Sequence, residues 1–251
     1  MQRWLICAAV VVMLAAAGVT CRYARQARKP STDGQDEQAG ESAAADESTD
    51  ADDQPLLHWR IGTICIDPGH GGRDSGTVAG NETLEKTIAL DIAKRVVHGL
   101  EANGAVVVMT RADDRFVALE ERVRICNAAG AGLFLSIHAN GFYSPDAHGF
   151  ELYYLGDDSV PEAGRAAEHI RRALAHRVEA RDRGVRRADF TVLSQTACPA
   201  VLVEVGYLSN EAECARLLDE SYRQQLADAI VAGLVEFGAE PVKKPDKEQD
   251  E

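Results

Sequence analysis

A chain of 251 residues, 45% of them apolar, carries enough hydrophobic material for one substantial packed domain. Its net charge of −13 at pH 7 excludes a typical nucleic-acid binder, which needs a basic surface. The charge is unevenly spread: residues 1–30 hold five bases and no acid, residues 31–55 nine acids and no base, and the segment from 56 onward is only mildly acidic.

In chain order, residues 1–30 read as an export signal or an N-terminal membrane anchor. Arg3 precedes an uncharged run from Trp4 to Cys21 that is apolar in the middle and ends in small residues. Ala17 and Thr20 suit cleavage, yet the run also just reaches the length of a membrane span, so attachment through residues 4–21 stays open. Arg22, Arg25, Arg28 and Lys29 lie on the side of the run that disfavours easy export. Lipidation at Cys21 is a weaker third route, because Gly18-Val19-Thr20 lacks a large aliphatic residue. Each route leads out of the cytoplasm, to the periplasm or cell envelope. Residues 31–57, rich in Ser, Ala, Gly, Gln and acids, form a disordered acidic linker by composition. A catalytic domain over 58–238 and a charged disordered tail over 239–251 complete the plan.

Within the domain, Thr63 to Ile66 is a buried strand, stopped by Asp67-Pro68-Gly69-His70-Gly71-Gly72. Leu84 to Asn103 places Leu84, Ile88, Ile92, Val96 and Leu100 on one helix face, and Gly104 supplies the left-handed residue that ends it. Then come a strand over 105–110, a helix over 116–129 and a strand over 133–137 that delivers His138. A strand over 150–155 and a helix over 161–180 follow, ending in a basic turn around Arg181 and Arg183. Thr191-Val192-Leu193 and Ala200 to Val205 complete six strands. Asn210 with Glu213 and Ser221 with Gln224 read as capping boxes opening the last two helices. The rhythm of strand and helix gives an α/β fold: a single domain with a central, mainly parallel sheet of about six strands, flanked by helices on both faces.

The six cysteines form no framework. Cys7 and Cys21 fall in the first segment, Cys65, Cys126 and Cys214 read as small buried apolar residues, and Cys198 sits in a loop; no Cys-x-x-Cys pair is present to suggest a zinc cluster.

His70, Glu85, His138 and Glu204 each sit at or just past an apolar run or in an opening helix turn, where open α/β sheets gather their reactive groups. Two histidines and a glutamate are a standard catalytic zinc set that leaves one position open. Taken singly, each has a plainer reading: a hydrogen-bonded surface His, or a Glu that favours the helix dipole. Glu204 is harder to explain that way, because the run Val201-Leu202-Val203-Glu204-Val205 is otherwise apolar and a buried carboxylate is costly without a cation. Burial would raise its pKa toward the range of a general base. His58, His98, His148, His169 and His176 read as surface groups, with His148 in reserve for the site.

Asp67 to Gly72, Glu85-Lys86, Ser136-Ile137-His138-Ala139-Asn140 and Leu202 to Asn210 together resemble the zinc-dependent N-acetylmuramoyl-L-alanine amidases of bacterial cell-wall turnover. Leu119-Glu120-Glu121-Arg122 and Gly149-Phe150-Glu151-Leu152-Tyr153 fit the same family, and the likeness runs in order from about Thr63 to Phe237. The resemblance implies one zinc ion per chain held by His70, Glu85 and His138, with Glu204 as the catalytic glutamate. It further implies peptidoglycan as the substrate, cut at the amide between N-acetylmuramic acid and the L-alanine of the stem peptide. A monomer is expected, and no activator can be named. Ser194 departs from the basic residue of many relatives, a role that Arg186 or Arg187 could take over. The stretch between His138 and Glu204 is too short for the blocking helix inserted in some relatives, so self-inhibition by such a helix is not expected. Two other readings remain: a different extracytoplasmic zinc amidohydrolase or peptidase, and a non-catalytic wall-binding module.

Overall fold

The computed structural model describes residues 61–156 and 160–239. The expected export segment or anchor, the acidic linker and all of the tail but its first residue lie outside them. Among the described residues, no helix is long and apolar enough to cross a membrane.

Six strands form one sheet: β1 (Thr63–Pro68), β2 (Val106–Met109), β3 (Leu133–Asn140), β4 (Phe150–Tyr154), β5 (Asp182–Arg187) and β6 (Ala200–Tyr207). Their order is β2-β1-β3-β6-β4-β5, with every pair parallel except β4 against β6. Six helices cover it: α1 (Glu85–Ala102), α2 (Leu119–Ala128), α3 (Pro161–Arg177), α4 (Thr191–Ser194), α5 (Glu211–Leu218) and α6 (Glu220–Ala239). The mainly parallel, six-stranded α/β domain expected from the sequence is therefore the fold observed.

The chain leaves β1 toward β2 through α1, then returns past β1 to β3 through α2. Right-handed crossovers in opposite directions put α1 and α2 on opposite faces and open a crevice beyond the ends of β1 and β3. Strand alternation then sorts the side chains. Ile64, Ile66, Leu133, Leu135, Ile137, Val201 and Val203 point into the large core beneath α1, α3 and α6. Cys65, Phe134, Ala200 and Leu202 point the other way, into a smaller core closed by Val123 and Cys126 of α2 and Val192 and Leu193 of α4. That second face also receives Asp67, Ser136, His138 and Glu204, the alternate residues nearest the strand ends.

Local signals place most of these elements. Gly104 takes φ 79° after α1. Its N–H donates to Glu101 O and that of Ala105 to Leu100 O, the paired bonds of a Schellman ending. Asn210 caps α5 by accepting from the Glu213 N–H.

Four expectations need correction. Thr191-Val192-Leu193 is not a strand but the helical turn α4: the N–H groups of Leu193 and Ser194 donate to Phe190 O, so the two apolar residues Val192 and Leu193 fixed burial without fixing period. The fifth strand is instead β5, read from the sequence as a basic turn. Its charged, Gly-containing sequence Asp-Arg-Gly-Val-Arg-Arg suits the edge of the sheet, where charges discourage further pairing. Ser221 does not cap α6; Asp219 does, its Oδ1 accepting from the N–H groups of Ser221 and Tyr222. His169 is buried rather than on the surface, because it lies on the side of α3 that packs against α6, 5.9 Å from the Phe237 ring.

Candidate metal centre

β1 ends at Pro68, and the next residues turn His70 back over the sheet at φ 58°, a left-handed conformation that a non-glycine residue keeps only when its surroundings enforce it. Two buried guanidinium groups do so. Arg122 donates from Nη1 to Asp67 Oδ1 (2.6 Å) and Pro68 O (2.7 Å) and from Nη2 to His70 O (2.6 Å). Arg111, fully enclosed, donates to Pro68 O (3.0 Å), Gly69 O (2.6 Å) and Lys86 O (2.9 Å), so one side chain ties the His70 loop to the first turn of α1. Asp67 accepts further from Thr110 Oγ1 and from Ser136 Oγ at 2.8 Å, which leaves the buried Asp67–Arg122 pair well partnered.

That framework converges three side chains. His70 Nε2 is 3.0 Å from Glu85 Oε1, and His138 Nδ1 is 2.9 Å from the same oxygen. The two imidazoles meet edge to face, 4.9 Å between centroids. Glu85 Oε2 accepts from the Thr77 N–H at 2.8 Å. Asp74 Oδ2 holds His70 Nδ1 at 2.9 Å, which turns the other ring nitrogen toward Glu85. A Cβ on Gly69 would run into the His138 ring, and one on Gly76 would lie 2.6 Å from both Glu85 Oε2 and the His70 ring; these two glycines let the loop close over the cluster. Burial works to raise the Glu85 carboxyl, but its hydrogen bonds from His138 and His70 outweigh that and hold it well below the ordinary value. The ligand atoms of His70, Glu85 and His138 all lie within 4.8 Å of one another, as a group that could hold a metal ion.

Glu204 stands beside this group, directly across from His138 in the β3–β6 ladder, where a register shift before Asn140 bends the strand. Its Oε2 is enclosed and has no hydrogen-bond partner among the described residues. Burial, followed by the charges of Glu85 and Glu151, raises its carboxyl pKa well above the ordinary value. All four residues singled out from the sequence line one open cleft of about 500 Å³, with Thr77, Leu119, Asn140, Phe190, Thr191 and Val192 among its walls.

Glu151 is a residue to which the sequence pattern assigned no role beyond membership of a motif. It faces Glu204 across the antiparallel β4–β6 pair, is 2% exposed, and accepts from Tyr207 Oη (2.5 Å) and Asn140 Nδ2 (3.0 Å). Arg183 and Arg186 approach its other oxygen at 3.4 and 3.3 Å. Burial works to raise its pKa, but the Tyr207 bond and the two arginines bring it below the ordinary carboxylate value. A signal for it exists in the chain: Phe150-Glu151-Leu152 places one charge in an apolar strand, as Val203-Glu204-Val205 does. Ser194, the departure from the family pattern, donates to Phe190 O at 3.2 Å. Arg186 is committed to Glu151, and Arg187 lies 3.4 Å from Tyr154 Oη. His148 lies outside the cleft, exposed, with its Nδ1 2.7 Å from Asp146 O.

Known proteins similar to this chain identify the family. The family described as N-acetylmuramoyl-L-alanine amidase matches residues 64–236. The chain belongs to that family. Among its relatives is the N-acetylmuramoyl-L-alanine amidase LytC of Bacillus subtilis, 44% identical over 175 residues that make up 70% of this chain and 35% of LytC; the chain thus matches only about a third of that relative's length. Solved amidase structures agree over the whole domain. The catalytic domain of CwlV from Bacillus (Paenibacillus) polymyxa is 37% identical with a TM-score of 0.67, over 70% of this chain and 98% of that one. The amidase of Clostridium difficile 630 is 32% identical with a TM-score of 0.68, over 71% and 97%.

Proposed function

We propose that this chain is a zinc-dependent peptidoglycan amidase that cleaves the bond between the lactyl group of N-acetylmuramic acid and the L-alanine of the stem peptide. The observation that carries the reading is a cluster of two histidines and one glutamate sharing a cleft with Glu204, whose enclosed Oε2 has no hydrogen-bonding partner among the described residues. A donor set of two imidazole nitrogens and one carboxylate fits zinc with a position left open for water and substrate. One ion per chain would be held by His70, Glu85 and His138, with Asp74 orienting the first ring. The names of the relatives and of the solved structures supply the substrate class.

When bound, zinc supplies Lewis acidity to the scissile carbonyl and to the attacking water. Glu204 takes the proton of that water and returns it to the departing L-alanine amine. Its raised pKa brings it toward neutrality, where a group both accepts and donates effectively. Glu151 is the poorer proton acceptor of the two, because the Tyr207 hydrogen bond and two arginines lower its pKa, so the two facing carboxylates are shifted in opposite directions. No covalent intermediate is needed. An N-terminal export signal or anchor, with residues 31–57 as an acidic tether, would carry a monomeric domain to the wall. Among the described residues the β3–β4 loop contains no helix and α3 packs against α6, so nothing described covers the cleft.

The test is Glu204→Gln in the full chain, with purified peptidoglycan as substrate. The expected result is a loss of hydrolysis on the order of 100-fold or more, with one zinc per chain and the melting temperature retained. The products of the unsubstituted protein should carry new L-alanine amino ends. Unchanged turnover in the variant sinks the mechanism, and ends at a different amide sink the substrate assignment.

A further inference from the structure

The second face of the sheet is thinly covered. Its helices are α2, of ten residues, and α4, of four, and three thiols lie in the core they close. Cys65 is fully enclosed in the middle of β1, Cys126 is fully buried in the last turn of α2, and Cys198 is partly exposed in the loop between α4 and β6. The Sγ atoms of Cys126 and Cys198 are 3.7 Å apart. The backbone on both sides of this pair is already fixed by the residue next to Cys126. Asn127 accepts from the Ala197 N–H at 2.9 Å through Oδ1 and donates to Gln195 O at 3.4 Å through Nδ2.

We propose that Cys126 and Cys198 are a disulfide-forming pair that staples α2 to the loop between α4 and β6. The proposal rests on the extracytoplasmic reading for where the bond forms, since oxidising compartments are where such bonds persist. It does not rest on that reading for whether the geometry permits it. A disulfide requires sulfurs about 2.05 Å apart, so the pair must close by roughly 1.7 Å, the scale of a side-chain torsion change at a loop cysteine.

The chemistry runs outside-in. The partly exposed Cys198, as thiolate, attacks one sulfur of a dialkyl disulfide, forming a mixed disulfide and releasing one small thiol. The Cys126 sulfur then attacks the Cys198 sulfur, forms the protein S–S bond and releases the second. The two protein thiols give up two protons and two electrons, and the dialkyl disulfide is reduced to two thiols. The hydrogen bond with Cys126, and then burial, push the Cys198 thiol up from its ordinary value, so the first step is favoured by alkaline conditions. Cys65 is a poor competitor, because its place within β1 denies access to any reagent. Cys214 belongs to the other core and is 3.6 Å from Asn81 Oδ1.

The position of the staple has a consequence for the cleft. Leu119, at the start of α2, and Phe190, Thr191 and Val192, at α4, line the same wall. A bond between Cys126 and Cys198 would tie the two pieces of that wall together where the least core holds them.

The experiment uses the full chain, folded, at about pH 8.5 with oxidised glutathione as the dialkyl disulfide, followed by alkylation, digestion and mass spectrometry. The expected product is a linked peptide pair containing Cys126 and Cys198. The oxidised protein should melt roughly 5–10 °C above the dithiothreitol-reduced protein, and the difference should vanish in Cys198→Ser. Cys198→Ala serves equally if the serine variant folds poorly. Recovery of both cysteines alkylated, of a persistent glutathione adduct on Cys198, or of a link to Cys65 overturns the proposal. Because the link is read by mass, it stands or falls separately from the amidase assignment.

Discussion

The two faces of the sheet solve different problems. Beneath α1, α3 and α6 lies a continuous apolar core from Ile64 to Phe237 in which nearly every strand residue is fully enclosed. On the other face a core of eight buried residues lies under α2 and α4, and the strand ends carry Asp67, Ser136, His138, Glu151 and Glu204. One face supplies stability by excluding water from apolar surface. The other tolerates buried charge because Arg122 meets Asp67 while Tyr207, Arg183 and Arg186 meet Glu151. Among the described residues, Glu204 is the buried carboxylate there with an oxygen left unsatisfied, and it lies in the cleft. Strand alternation makes this division within the sheet, and the loop after β1 and the first turn of α1 bring His70 and Glu85 to the polar side.

That division can be broken in order of expected effect. Stripping zinc with a chelator should abolish hydrolysis altogether, with recovery on adding zinc back, and should lower the melting temperature because an ion bound only by the folded state stabilises it. Chelation without loss of activity would remove the metal from the account. Arg122→Ala comes next. It leaves Asp67 buried without its cation, removes one of the two guanidinium donors to Pro68 O and strips the His70 carbonyl of its Arg122 bond, a loss of about 3–5 kcal/mol by denaturant unfolding, and it should weaken zinc binding as well. On the opposite face, Ile230→Ala should cost roughly 2–5 kcal/mol while leaving zinc affinity within about twofold. If the two variants weakened the metal site equally, the separation of the faces would fail. Both are measured by denaturant titration and zinc competition.

The smallest effect concerns pH. Burial works to raise the Asp91 carboxyl, but hydrogen bonds from Arg95 within α1 and from Arg223 of α6 hold it below its ordinary value. A depressed folded pKa contributes stability in full above the unfolded value of about 3.9 and loses it as pH falls through the folded one. The group is more than a third exposed, so Asp91→Asn should cost less than about 1 kcal/mol at pH 7, and the variant and the parent should converge in stability once the pH falls below the folded-state value. A difference that persisted at that pH would assign the effect to packing instead of charge.

Much of this was legible beforehand because it is local. Gly104 ends α1, Asn210 starts α5, and the spacing of Ile88, Ile92, Val96 and Leu100 marks a buried helix stripe without reference to the rest of the chain. The four site residues were legible because each departs from an apolar or Gly-rich pattern at a strand or helix end. The short run at 191–193 was not, since a three-residue run with two apolar members reads equally as strand or as helical turn and only the Phe190 carbonyl chose between them. Asp182–Arg187 was not, because its membership in the sheet comes from the edge of β4 and not from its own composition. The burial of His169 was hidden because α6 covers α3, a fact that no window on α3 contains.

By itself, then, the sequence determined the α/β class and the order of most elements and singled out the four candidate site residues, through periodicity and through residues that only make sense at element ends. Tertiary structure alone decided that these side chains meet. It also decided that Glu151 faces Glu204, that Arg111 and Arg122 hold three successive carbonyls of the His70 loop, and that two cysteines 72 residues apart touch. The reason is physical: strand pairing and crossover handedness bring together residues whose separation along the chain carries no information about their distance in space.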